Sequence, residues 1–224
     1  MVDTPDDRKA EGPGGLNRVV DTPDDRKAEG PGGLNRVVTS ICVFCGASPG
    51  ADPAHAALAV ATGTALGRRG IRLVYGGGRA GLMGVVADAA LAAGAEVWGV
   101  IPQALQEREL QHLGITRLSI VPDMHTRKAQ MNEWSDGFIV LPGGIGTLEE
   151  AVEIQSWSQL GFHRKGIVYL DEDGFWDPFF DLTARMVRGG FLRQMHRDIA
   201  IRAASPDGAI DALMAWQPPE SRWT

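Results

Sequence analysis

The sequence predicts an α/β fold, a Rossmann-like three-layer α/β/α sandwich built on a central parallel sheet. Three observations predict it. Short apolar runs alternate with longer stretches of helical composition from residue 38 to about residue 216, the pattern of repeated strand–helix units. The runs at 137–141 and 166–170 are apolar almost without a break, as strands covered on both faces are. Glycine-rich turns at 46–50, 76–84 and 142–147 follow apolar runs, at the strand ends where such sheets take their ligands.

Taken in order, the chain opens with the same 18 residues twice, VDTPDDRKAEGPGGLNRV at 2–19 and again at 20–37. This copy is charged, rich in Pro and Gly and short of apolar side chains, so it offers no face to bury. Residues 1–37 are therefore expected to be disordered and to lie outside the fold, leaving 38–224 as a single nucleotide-binding domain. Residues 37–45 read as the first strand, and alanine-rich 53–69 as a helix. Residues 71–75 form the second strand, 82–93 a helix closed by Gly94, and 95–101 a third strand stopped by Pro102. A strand at 116–121 precedes a helix at 126–135. The strand at 137–141 leads through the glycine loop into a helix at 148–160. Strand 166–170, helix 178–188, a short strand at 198–202 and a helix at 206–216 complete the chain.

With 44% hydrophobic and 22% charged residues in a chain of 224, a substantial core is available. The net charge of −6 argues against nucleic-acid or anionic-membrane partners, whose phosphates need a basic face. No apolar run approaches the roughly 20 residues that span a bilayer, and the acidic N-terminus is unlike a secretory signal, so a cytoplasmic protein with a small ligand is expected. Cys42 and Cys45 stand alone in one strand and point to opposite faces. They read as buried apolar thiols, and no metal site is expected.

The loop at 142–147 carries the chemistry. Three glycines among its six residues let the backbone approach an anion, and the helix that follows supplies free N–H groups and a positive dipole end. A bound phosphate is the expectation. Thr147 followed by Glu150 is open to two readings: a capping box, with Thr147 as N-cap and Glu150 reaching back, or a carboxylate held beside whatever the phosphate is attached to. Residues 76–81 match G-x-G-x-x-G, but Ile101 and Pro102 stand where a dinucleotide site needs an acidic ribose ligand. That turn, with Gly77 and Gly78, reads instead as backbone lining a nucleotide pocket. Arg127 and Lys128 open a helix after a strand, where they either meet an anionic ligand or form a solvated turn. Lys128 and Lys165 are the only lysines outside the duplicated segment, and neither has a Schiff-base setting, so no pyridoxal cofactor is expected. The tryptophans Trp134, Trp157, Trp176 and Trp216 are assigned to packing.

Together these motifs resemble one family, the LOG or "Lonely Guy" cytokinin riboside 5′-monophosphate phosphoribohydrolases. Its pattern P-G-G-x-G-T-x-x-E stands complete at 142–150, beside G-G-G at 76–78, G-L-M-G at 81–84, E-L at 109–110 and D-M-H-x-R-K at 123–128. The resemblance covers nearly all of the chain after residue 37. It implies hydrolysis of the N-glycosidic bond of adenosine 5′-monophosphates, N6-modified in the cytokinin case, with no cofactor or metal, by a homodimer. It implies Arg127 and Glu150 as the catalytic pair. It further implies nucleotide contacts from Glu109, Lys128, Gly143, Gly144, Ile145, Gly146, Thr147, Leu148, Glu149 and Ser156. The first loop departs from the family's Cys-Gly-Ser-Ser by placing Ala47 before Ser48, so a hydroxyl contact there falls to Ser48. Two alternatives remain open: a non-catalytic nucleotide-binding or carrier protein of this fold, and a nucleosidase acting on plain AMP.

Overall fold

A computed structural model describes residues 37–106 and 111–219; the duplicated segment, apart from Val37, and Glu109 lie outside the described residues. Among the described residues, seven strands form one sheet: β1 (Ser40–Phe44), β2 (Arg72–Tyr75), β3 (Val97–Pro102), β4 (Arg117–Val121), β5 (Gly137–Val140), β6 (Ile167–Leu170) and β7 (Ala200–Ala203). All are parallel, in the order β4-β3-β2-β1-β5-β6-β7. The helices are α1 (Pro53–Arg68), α2 (Gly81–Ala92), α3 (Met124–Glu133), α4 (Ile145–Leu160), α5 (Asp177–Arg188), α6 (Gln194–Arg197) and α7 (Pro206–Met214). Neither α6 nor the 3₁₀ turn Gln103–Leu105 was expected, since elements of three or four residues leave no periodic signal.

Side-chain alternation along the strands divides the core in two. Ile41, Val43, Leu73, Tyr75, Ile139 and Leu141 face α1, α2 and α7, while Cys42, Phe44, Val74, Phe138 and Val140 face α3, α4 and α5. These are the three layers that the unbroken apolar runs predict. Cys42 and Cys45 are buried and unbridged, and burial, above all else, pushes both thiols up. Trp176 is buried in the second core beside Tyr169, with Trp134, Trp157 and Trp216 packed against its edge. None of the helices among the described residues is long and apolar enough to cross a membrane.

The strand order places the site. From β1 the chain steps outward through β2 and β3 to β4, then returns to lay β5 on the other side of β1. The loops after β1 and β5 therefore leave adjacent strands in opposite directions and open a crevice between them. Asp136, just ahead of β5, ties the two strands at their other end. Its Oδ2 accepts hydrogen bonds from the backbone N–H and hydroxyl of both Thr39 and Ser40, at 2.9–3.1 Å.

One local expectation is corrected. Helix α4 begins at Ile145, three residues before the expected start, with Gly144 as an N-cap that uses no side chain. Thr147 thus lies inside the first turn, where it cannot be the N-cap of a capping box with Glu150. Its hydroxyl lies instead over Gly143, where an added Cβ would stand 2.2 Å from Thr147 Oγ1. The glycines on either side of Ile145 weaken helical propensity, which is why the early start was not legible.

Candidate active site

A cavity of about 520 Å³ opens at the crevice between β1 and β5, a size suited to a small-molecule ligand. Three loops make its floor and are bonded to one another. Gly46 N–H, after β1, donates to Pro142 O after β5 at 3.2 Å, and Leu82 N–H, in α2, donates to Gly46 O at 2.9 Å. Gly143, Gly144, Gly146 and Thr147 line one wall, so the first turn of α4 faces the cavity with its dipole positive.

Arg127 crosses this floor. It rises from the first turn of α3 and is 4% exposed. Its Nε donates to Val100 O at 3.1 Å and its Nη2 to Gly76 O at 3.0 Å, so the guanidinium bridges a carbonyl within β3 and the carbonyl just after β2. This approach needs a glycine at position 76, because a Cβ there would stand 2.0 Å from Nη2. The remaining edge turns to α4, where Arg127 Nη1 lies 3.5 Å from Glu150 Oε1. The two side chains are 5% and 12% exposed, and both line the cavity. Two loops and two helices thus set a largely buried carboxylate beside a fixed cation. Cys45 also lines the cavity, but burial first and the Glu150 charge second push its thiol up, which leaves it a poor nucleophile at neutral pH. Among the described residues no three His, Cys, Asp or Glu side chains cluster as metal ligands would.

Comparison with known proteins fits this geometry. A family model described as "Possible lysine decarboxylase" matches residues 83–213. A cytokinin riboside 5′-monophosphate phosphoribohydrolase of Arabidopsis thaliana is 43% identical over 178 residues, covering 80% of this chain and 82% of the relative. One from Rhodococcoides fascians is 44% identical over 175 residues, 78% and 88% of the two chains. The chain belongs to the LOG family. Among solved structures, the molybdenum cofactor carrier protein of Chlamydomonas reinhardtii superposes with a TM-score of 0.58 at 20% identity, over 77% of this chain and 93% of that one. At that identity the likeness shows the shared fold alone.

Of the residues that the LOG pattern marks, the cavity brings together Arg127, Glu150, Ser48, Gly143, Gly144, Gly146, Thr147 and Glu149. Others lie elsewhere. Gly77 turns at φ +77° against Ile101 and Leu118, Gly78 pairs with Gln111, and neither lines the cavity. Ile145 is 81% exposed, Leu148 packs into the second core, and Ser156 is exposed on α4. Lys128 is buried between helices, paired with Glu149 and Glu153 of α4. Burial is the largest single influence on it and lowers its affinity for a proton, but the bonds to Glu149 and then Glu153 outweigh that and hold it above the usual lysine range.

Several lining residues were assigned no ligand contact in the sequence, Met83 and Met124 among them although they stand inside the G-L-M-G and D-M-H-x-R-K motifs. His55 and Phe175, in edge-to-face contact at 5.6 Å, form the side toward β6. Leu105, Met83 and Met124 form the side toward β3. Their shared signal is position: all but His55, which stands in the first turn of α1, come from the segment after a strand on the ligand-binding edge of the sheet, at the opening of a loop or helix.

Proposed function

We propose that this LOG-family chain hydrolyses the N-glycosidic bond of adenosine 5′-monophosphates, N6-modified or plain, releasing the base and ribose 5-phosphate. The observation that carries the reading is the pairing of buried Arg127 with the largely buried Glu150, set in one cavity with the glycine loop of α4. The activity for which its relatives are named supports it. The 5′-phosphate lies on the loop N–H groups of Gly144 to Thr147, with Ser48 across from them. Phosphate binding there positions the ribose over Glu150. As the C1′–N9 bond breaks, positive charge grows on the ribose ring, and the Glu150 carboxylate stabilises it. A water oxygen bonds to C1′ and gives up its proton to Glu150, while the electron pair of the broken bond leaves with the base, which is then protonated. Arg127, already donating to two carbonyls, acts mainly by fixing Glu150 in place. The protein works in the cytoplasm as a homodimer, an assembly for which exposed Met124 on α3 and Val152 on α4 offer apolar surface.

The test is chemical. Incubation with AMP and with N6-isopentenyladenosine 5′-monophosphate releases free base, read by chromatography, at rates well above those for the unphosphorylated nucleosides. Release from neither nucleotide, with binding of both, would make the chain a carrier. Faster release from AMP would make it an AMP nucleosidase.

A further inference from the structure

We infer that Lys128 serves a bound nucleotide without touching it: it ties back and neutralises Glu149, a carboxylate in the wall of the cavity that would otherwise repel the phosphate. The inference rests on the nucleotide reading above and adds to it a positioning residue that acts through another side chain.

The difficulty for an anion here is one of charge. Among the described residues that line the cavity, with histidine neutral, the charged side chains are Arg127, Glu149 and Glu150. Two carboxylates against one cation leave the wall with an excess negative charge, and a phosphate monoester brings about −1.5 to −2 more at neutral pH. Arg127 faces Glu150, so the excess falls on Glu149. That side chain is 51% exposed and follows Thr147 by two residues, about half a helical turn beyond the phosphate loop.

Lys128 meets that charge from outside the cavity. Successive residues of α3 pair with α4: Arg127 with Glu150, and Lys128 with both Glu149 and Glu153. Lys128 Nζ lies 2.5 Å from Glu149 Oε1, its side chain is 8% exposed, and it is not one of the described residues that line the cavity. Turning to a ligand would cost it both carboxylates, one of them, Glu153, largely buried. Glu153 stands about one turn further from the glycine loop, so its own charge acts on a phosphate there over a longer distance than that of Glu149. Its bond to the ammonium holds Lys128 in place, and the lysine, kept above its usual range by the two carboxylates, stays charged at neutral pH.

A lysine or glutamate in direct contact with the nucleotide would respond differently to substitution. Calorimetry in a Glu150→Gln background, which suppresses turnover and leaves Glu149 the one carboxylate among the described lining residues, compares AMP with adenosine. Glu149→Gln, at an exposed position where a folding defect is small, turns the charge of Lys128 toward the cavity and tightens AMP about threefold. Lys128→Met leaves Glu149 without that cation and weakens AMP about tenfold, and the double variant returns AMP to within about twofold of the background. Adenosine, which carries no phosphate, stays within about twofold throughout, and the changes on AMP shrink as ionic strength rises. Weaker AMP binding in Glu149→Gln, a double variant as weak as Lys128→Met alone, equal losses on adenosine, or no change on AMP would each overturn the inference. AMP that fails to bind before either residue is changed would overturn the nucleotide reading as well, an outcome seen in the background protein alone.

Discussion

Arg127 reaches Glu150 from a position fixed by the carbonyls of Val100 in β3 and Gly76 after β2, and that placement gives the carboxylate its meaning. In the sequence, Glu150 three residues after Thr147 is equally a helix cap. The structure removes that reading, because α4 starts three residues early and Thr147 sits inside its first turn. What remains is a carboxylate 12% exposed, 3.5 Å from a guanidinium, in the wall of a cavity. Glu150→Gln keeps the volume and one acceptor for Arg127, so the melting temperature should move by no more than a few degrees. Base release from AMP should fall at least about 100-fold, the scale of removing one preorganised charge-stabilising group. Turnover close to the parent rate in steady-state assays would end the catalytic assignment. Lys128 shows the limit of reading residues singly. Its place beside Arg127 suggests a ligand contact, and its partners Glu149 and Glu153 are four apart on another helix, a pairing that no local pattern announces.

At the scale of elements, nearly every strand and helix was legible, since apolar runs of four or five residues and alanine-rich stretches of a dozen or more carry strong signals. The start of α4 was not, and it is the boundary that matters most for binding. Gly144 and Gly146 meet nothing where a side chain would project, so their freedom leaves the loop open to a ligand. Gly143 is different. A Cβ there would stand 2.2 Å from Thr147 Oγ1 and 2.9 Å from the backbone nitrogen of Gly46, so the turn of α4 and the loop after β1 are packed through this one position. Gly143→Ala must push these loops apart, by an amount that disturbs the phosphate N–H groups more than the distant core. We expect kcat/KM for AMP to fall about 10- to 100-fold, mostly through KM, with slow adenosine hydrolysis nearly unchanged. If adenosine suffers equally, the loop does not serve the phosphate.

For the whole molecule, local sequence gives the elements but not the order of the strands in the sheet, because nothing within β1 or β5 says that they are neighbours across a reversal. The cross-link that closes this pairing is Asp136. Burial is the largest single influence on its carboxyl and pushes it up, but the hydrogen bonds from Thr39 and Ser40 together outweigh that and hold it below the ordinary carboxylate value. In the unfolded chain Asp136 takes up its proton near the reference value of about 3.9. Its contribution to folding is therefore complete above that pH and is lost as the pH falls through the lower, folded value. Hydrogen bonds to a charged group contribute about 2 kcal/mol, so Asp136→Asn should lower the melting temperature by about 4–8 °C near neutral pH. That gap should stay constant down to about pH 5 and then narrow below about pH 4, as the parent protein loses the charge that the variant never had. Calorimetric scans of both proteins across this range decide it. A gap that persists or widens in acid would mean that Asp136 holds β1 to β5 by shape and neutral hydrogen bonding, and that the charge at the closed end of the crevice is incidental.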